Sequence, residues 1–203
     1  MKFTISNAEK TDLCRRAPEF TEAVSRIELE EFECNGDLFL ALVQSVVYQQ
    51  LSARVADAIY GRVERLLTAV TPEAIAMADP DGLRACGLSA RKAGYLKGIA
   101  EAAISGEIDF AKLPGMSDSE AAAELVKLKG VGSWTAEMLL IFSLGRKDVL
   151  SCKDLGVRRG LMTLHRLDDL PEAEFEFYRR RYSPHGTLAS LYLWRIADGA
   201  LAD

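Results

Sequence analysis

Leu128-Lys129-Gly130-Val131-Gly132-Ser133-Trp134-Thr135-Ala136 is the stretch whose reading decides the fold of this chain. Two glycines flank one apolar residue, a spacing that makes a tight turn and leaves backbone N–H groups unobstructed. The residues beyond it predict a helix over Ser133 to Leu144, so those N–H groups stand at a helix N-terminus. Upstream, Ser117-Asp118-Ser119-Glu120 has the Ser-x-x-Glu capping-box spacing, and Ala121, Leu125 and Leu128 recur at helical intervals. The unit is therefore a helix, a glycine hairpin and a second helix. Free donors and the positive end of the second helix dipole point the same way, which suits a phosphate oxygen. Farther along, Asp154 heads another helical segment. A single carboxylate held one helix away from a bound phosphate backbone suggests chemistry done on a nucleotide. The plainer readings are that glycine turns join helices for packing alone, and that an aspartate ahead of a helix is its N-cap.

Outward from the hairpin, every segment reads as helix or turn. Asp37 caps a very apolar helix from Leu38 to about Gln50, whose apolar faces imply burial between other helices. Ala53–Val70 forms the next. Thr71-Pro72 and Asp79-Pro80 each place proline at the first helical position after a capping residue. Ser89 caps a helix that runs through Ala103 and ends at Gly106. Asp154–Leu164, Pro171–Tyr182 and Thr187–Ala200 complete the set, after short helices around Ala8–Arg15 and Glu19–Ile27 at the start. No β-alternation of useful length occurs, so the fold class is all-α.

The 203 residues allow one substantial core or two small lobes, and 49% hydrophobic with 27% charged residues is ordinary for a globular protein. Apolar runs such as Met138-Leu139-Leu140-Ile141-Phe142 are far too short to span a bilayer, and the opening MKFTISNAEKTDLCRR lacks a signal-peptide apolar region. The expectation is a cytoplasmic protein, or a nuclear one in a eukaryote, without a membrane partner. Cys14, Cys34, Cys86 and Cys152 are dispersed, which argues against zinc and against an iron–sulfur cluster and favours reduced, structural thiols. His165 and His185 stand alone, and no metal-binding set assembles around either. A net charge of −5 counts against nucleic-acid binding, but its distribution does not. Residues 1–126 hold 13 basic against 20 acidic residues, whereas residues 127–181 hold 11 basic against 8 acidic. The basic excess coincides with the hairpin and Asp154, where phosphates would approach.

These residues resemble a known family. Leu128 to Ala136, the spacing to Asp154 and the run Lys153-Asp154-Leu155-Gly156-Val157-Arg158-Arg159 are similar to the helix-hairpin-helix DNA glycosylases, most of all to their 3-methyladenine (alkylpurine) branch. Further matches lie at Tyr48-Gln49-Gln50-Leu51-Ser52, at Gly87-Leu88-Ser89-x-x-Lys92-Ala93, and from Ser183-Pro184 through Trp194. They run in one consistent order from about residue 37 to the C-terminus. Two positions depart from the pattern: Lys129 and Cys152 stand where the family usually has proline.

The resemblance implies two helical lobes with a DNA-binding, active-site cleft between them. Residues 36–146, with the helix-hairpin-helix at about 117–144, would form one lobe. Residues 1–35 plus 147–203 would form the other and carry the catalytic aspartate, with no N-terminal β-rich domain. It implies a monofunctional DNA glycosylase of base excision repair that hydrolyses the N-glycosidic bond of alkylated purines after base flipping and leaves an abasic site. Asp154 takes the catalytic role. A fixed anion stabilises the oxocarbenium-like deoxyribose and orients water. Trp134 occupies the position where bifunctional relatives carry a nucleophilic lysine, so no β-lyase activity is expected. Trp134, Tyr182 and Tyr48 are the substrate-binding candidates, because electron-rich rings hold a cationic alkylated purine. Trp194 is a further aromatic candidate, and Arg179-Arg180-Arg181 could steer phosphates. Gly130, Gly132, Ser133, Thr135 and Lys129 would meet DNA at the hairpin. Gln49, Gln50 and Leu51 resemble the wedge segment, with Gln50 or Leu51 as the inserted side chain.

No cofactor is expected. A monovalent cation, sodium or potassium, would bridge a DNA phosphate to the backbone carbonyls of Val126, Leu128 and Val131. The partner is double-stranded DNA with damaged purines, and the state a monomer. Two other readings stay open: a non-catalytic helix-hairpin-helix DNA-binding module, and a glycosylase for a deaminated or mismatched base.

Overall fold

Ser6 and Glu9 open the first helix with a reciprocal capping box, the Ser6 hydroxyl taking the Glu9 N–H while the Glu9 carboxylate takes the Ser6 N–H. Local signals of this kind set most of the helix starts in a computed structural model that describes residues 1–201. The helices are α1 Asn7–Arg16, α2 Thr21–Arg26, α3 Leu38–Tyr48 and α4 Ala53–Leu67. After them come α5 Pro72–Met77, α6 Pro80–Ala85, α7 Ala90–Ser105 and α8 Asp118–Leu125. The chain ends with α9 Ser133–Phe142, α10 Leu155–His165, α11 Glu172–Tyr182 and α12 Gly186–Ala197. Asp37, Thr71, Ser89, Ser117 and Asp154 each cap the helix they precede with a side-chain acceptor. Gly106 closes α7 in the left-handed conformation that a residue with a Cβ disfavours.

The fold is all-α but for one small feature, a strand pair that the sequence of residues 1–34 supports only weakly. Lys2–Phe3 (β1) pairs antiparallel with Phe32–Glu33 (β2), Phe3 opposite Phe32, and the two rings stack 4.8 Å apart. Two-residue strands have no alternation to detect, so tertiary pairing alone declares them. Residues 202–203 of the expected second lobe lie outside the described residues.

By internal contacts the chain divides into two units, Asn35–Leu139 and Met1–Cys34 with Leu140–Asp203. In the first, α7 packs against α3, α5 and α6, while α4 packs against α3 and α6. The apolar all-round character of α3 follows: Leu42, Val43, Val46 and Val47 are fully buried. In the second unit, α10 against α12 is the most extensive pairing, and Leu13, Phe20, Leu161, Phe175, Tyr182 and Tyr192 fill its core. Gly160 makes the close approach of α10 to α12 feasible, because a Cβ there would strike the Leu193 carbonyl.

Candidate functional site

The hairpin sits in the first unit. Helix α8 ends at Leu125, with Val126 as its C-cap, and the buried Leu128 and Val131 side chains anchor the turn from below. The Val131 N–H donates to the Leu128 carbonyl across it at 3.1 Å. Gly130 has φ +90°, and a Cβ on it would collide with the ring of Tyr95. Gly132 differs, with nothing within 4 Å of where its Cβ would stand and no strained dihedral. One glycine is thus demanded by the protein's own packing, while the other keeps open space in front of the backbone. Helix α9 makes its first backbone bond from the Ala136 N–H to the Gly132 carbonyl, so the amides of Gly132 and Ser133 are not used inside the helix. Ser133, Lys129 and Trp134 are exposed around this opening, Trp134 at 41%.

The Thr135 side chain is 4% exposed, and its hydroxyl accepts from Gln49 Nε2 at 3.4 Å, so it braces the hairpin from within. Gln49 Nε2 also donates to the Gly130 carbonyl at 3.0 Å. The Gln49-Gln50-Leu51 segment therefore rests directly on the hairpin. Gln50 takes a left-handed conformation at φ 58° and is exposed, as is the apolar Leu51. Beside them opens a pocket of ≈ 530 Å³ whose lining includes Gln49, Gln50, Lys92, Tyr95 and Gly130. Tyr48 is half-buried, its hydroxyl donating to Asp57 and its ring edge-on to Tyr60. That carboxylate raises the Tyr48 pKa.

The carboxylate sits in the second unit. Asp154 is 7% exposed although the neighbouring Lys153 and Leu155 are in solvent, Leu155 at 74%. Its Oδ1 accepts from the Val157 N–H at 2.8 Å, which makes it the N-cap of α10. The same oxygen accepts from the indole Nε1–H of Trp194 at 2.9 Å. Two donors from different helices on one oxygen fix the carboxylate in place. Gly156 lets Trp194 lie there, since a Cβ would stand 2.7 Å from its ring. The indole is stacked in turn on Phe142 at 5.9 Å, and Phe142 lies tilted against Phe32 at 5.2 Å. Capping and anchoring in a low-dielectric setting leave a fixed anion beside an apolar surface, an arrangement suited to stabilising developing positive charge.

Trp194 therefore bonds to the carboxylate, where the sequence reading offered it as an aromatic contact. Tyr182 is a second correction. It is fully buried, edge-on to Phe20 at 5.0 Å, with its hydroxyl 2.6 Å from His165 Nε2. Burial drives its pKa well above the usual tyrosine value, and no face remains for a base to stack on. The arginine run is also engaged: Arg179 and Arg180 bind Glu176, and Arg181 binds Glu19 and the Arg16 carbonyl. The two guanidiniums hold Glu176 at about 2. Phe142 and Lys92 went unassigned in the sequence. A half-exposed ring in an otherwise buried apolar run and a cation in the first turn of a helix were the available signals.

The HhH-GPD superfamily model, described as base excision DNA repair protein, matches residues 43–184. Over 167 residues the chain is 42% identical to DNA-3-methyladenine glycosylase 1 of Schizosaccharomyces pombe, covering 80% of this chain and 72% of that protein. Of the further curated relatives it matches, the chain spans 52–60% of the length. The crystal structure of a DNA-3-methyladenine glycosidase from Bacillus halodurans superposes with a TM-score of 0.84 at 34% identity, covering 97% of this chain and 92% of that one. The S. pombe 3-methyladenine DNA glycosylase in complex with abasic DNA gives 0.80 at 34% identity, covering 93% and 96%.

Proposed function

Because the chain belongs to the HhH-GPD superfamily of base excision DNA repair proteins, we propose that it is a monofunctional DNA glycosylase that releases alkylated purines, 3-methyladenine and 7-methylguanine, from duplex DNA. The observation that carries this reading is Asp154, a nearly buried carboxylate fixed through one oxygen by the α10 backbone and the Trp194 indole. As the C1′–N bond breaks, the purine leaves with the bonding electrons and the sugar gains positive charge. The fixed anion stabilises that charge, and water adds to C1′ while its proton passes to the carboxylate. An alkylated purine already carries positive charge, so it departs as a neutral base without protonation by the protein.

The backbone amides of Gly132 and Ser133 bind a phosphate at the open face of the hairpin, with Lys129 alongside. Gln50 or Leu51 fills the space left by the extruded base. Trp134 supports water as the nucleophile, because an indole nitrogen forms no Schiff base with C1′. Its exposed ring and that of Tyr48 are the remaining aromatic candidates for the base. The carbonyls of Val126, Leu128 and Val131 would hold a monovalent cation. Val126 ends α8, where backbone carbonyls lose their intrahelical donors and the helix dipole is negative. The protein works as a monomer.

Methylated duplex DNA incubated with the protein tests the reading. Free 3-methyladenine or 7-methylguanine by chromatography, with strand breaks only after alkali, is expected. Binding without release would reduce the chain to a DNA-binding module, and breaks before alkali would contradict the monofunctional mechanism.

A further inference from the structure

Lys92 stands three residues after the Ser89 cap of α7, in the first turn, where the helix dipole disfavours a cation. It forms no ion pair among the described residues. Its Nζ instead donates to the Val47 carbonyl at 2.8 Å and the Gln49 carbonyl at 2.6 Å, the ends of α3, whose own donors have run out. Burial pulls its pKa below the usual lysine value, so the ammonium is kept there at some cost. Gln49, fixed at its backbone by this bond, reaches with its side chain to the Gly130 carbonyl of the hairpin. One turn along the same face of α7, the ring of Tyr95 occupies the space that any Cβ on Gly130 would need. The first two turns of α7 thus touch both the Gln50-Leu51 turn and the hairpin.

We propose that Lys92 is a positioning residue that holds the Gln50-Leu51 wedge in register with the phosphate-binding hairpin, so that gripping the backbone and filling the vacated base position occur together. The proposal rests on the reading of that segment as the wedge. The left-handed Gln50 turn is closed by a single backbone bond, from the Leu51 N–H to the Tyr48 carbonyl at 3.2 Å, and Lys92 anchors it from outside. Without the ammonium, two carbonyls at the end of α3 lose their donor and the segment loses its anchor. A second lysine on the same helix serves as a control. Lys97 Nζ donates to the Ala76 and Ala78 carbonyls at 2.9 and 2.7 Å, ending α5 in the same way but away from both the wedge and the hairpin.

The test compares anisotropy titrations on an undamaged duplex and on one carrying a tetrahydrofuran abasic analogue. The wild-type protein binds the abasic duplex more tightly. Lys92→Met is expected to lose about tenfold of that preference, the scale of one charge-assisted hydrogen bond, while its affinity for the undamaged duplex stays within about twofold. Lys92→Arg should restore most of the loss. Lys97→Met should melt at a lower temperature yet keep the preference. If Lys92→Met does not fold, Lys92→Gln removes the charge while keeping a donor on a shorter side chain, and should show the same selective loss. Full preference in Lys92→Met, or in Lys92→Gln where only that variant folds, overturns the proposal, and so does an equal loss on both duplexes. A wild-type protein without abasic preference overturns the wedge reading itself.

Discussion

Asp154 caps its helix and holds its carboxylate fixed through one geometry. As N-cap it satisfies the Val157 amide, and as the acceptor of the Trp194 indole it is tied to α12. The indole donor distinguishes this residue from an ordinary cap, which needs only the backbone bond. Trp194→Phe keeps the stack on Phe142 but removes the N–H, so the carboxylate gains freedom to turn. Single-turnover base release should slow by about tenfold at unchanged DNA affinity, because a hydrogen bond to a charged group is worth roughly 1.5–3 kcal/mol. A wild-type rate in Trp194→Phe would mean that the indole is not needed to fix Asp154. Trp194 also shows a limit of sequence reading: an aromatic residue near an active centre suggests stacking, and only coordinates reveal that its edge, not its face, does the work. The resemblance likewise puts Tyr182 among the rings that would hold the base. Spacing along a chain does not say which face of α11 turns inward.

At the scale of elements, the two hairpin glycines separate packing from binding. Gly130→Ala puts a Cβ into the Tyr95 ring at a left-handed φ, and should lower stability by about 1–3 kcal/mol, read as a drop in melting temperature. The Cβ of Gly132→Val has no protein atom within 4 Å, so the variant should melt close to the wild type. It should nevertheless weaken binding to every duplex, damaged or not, by about tenfold, because the side chain stands where a phosphate would approach. Unaltered duplex affinity in Gly132→Val would remove the hairpin from phosphate binding. The helix starts were legible in advance because a cap acts within four residues: Ser117 with Glu120, Asp37, Thr71 and Ser89 all behave as their spacing indicates. The supports of the site were not. Lys92 bonds to residues 43 and 45 positions away, and Gln49 reaches one 81 positions away. No local pattern encodes such partners. The burial of Thr135 and the β1–β2 pair were hidden for the same reason.

At the scale of the whole molecule, the acidic balance of −5 is compatible with DNA binding because residues 127–181, which include the hairpin and Asp154, carry 11 basic against 8 acidic residues. Part of that charge is spent internally: Arg181 and Glu19 form a partly buried ion pair beside His165 in the second unit. Burial lowers the His165 pKa, with Glu19 opposing more weakly. The unfolded chain therefore takes up a proton near pH 6.5 that the folded protein takes up only at lower pH. Stability should be insensitive to this group above about pH 7 and fall as the pH drops through 6.5 toward the folded value. The melting temperature should decline by a few degrees, about 2–4 °C, between pH 7.5 and 5.5, and His165→Gln should flatten that slope. An unchanged slope in the variant would assign the acid sensitivity elsewhere. The central claim is that Asp154 carries the hydrolysis, and the most direct measurement is single-turnover release of methylpurine by Asp154→Asn, with abasic-duplex affinity determined on the same samples. Asparagine keeps an acceptor oxygen for Val157 and Trp194 but loses the charge. Release should fall by about 10²-fold or more while affinity holds within about twofold, whereas release at the wild-type rate would contradict the account.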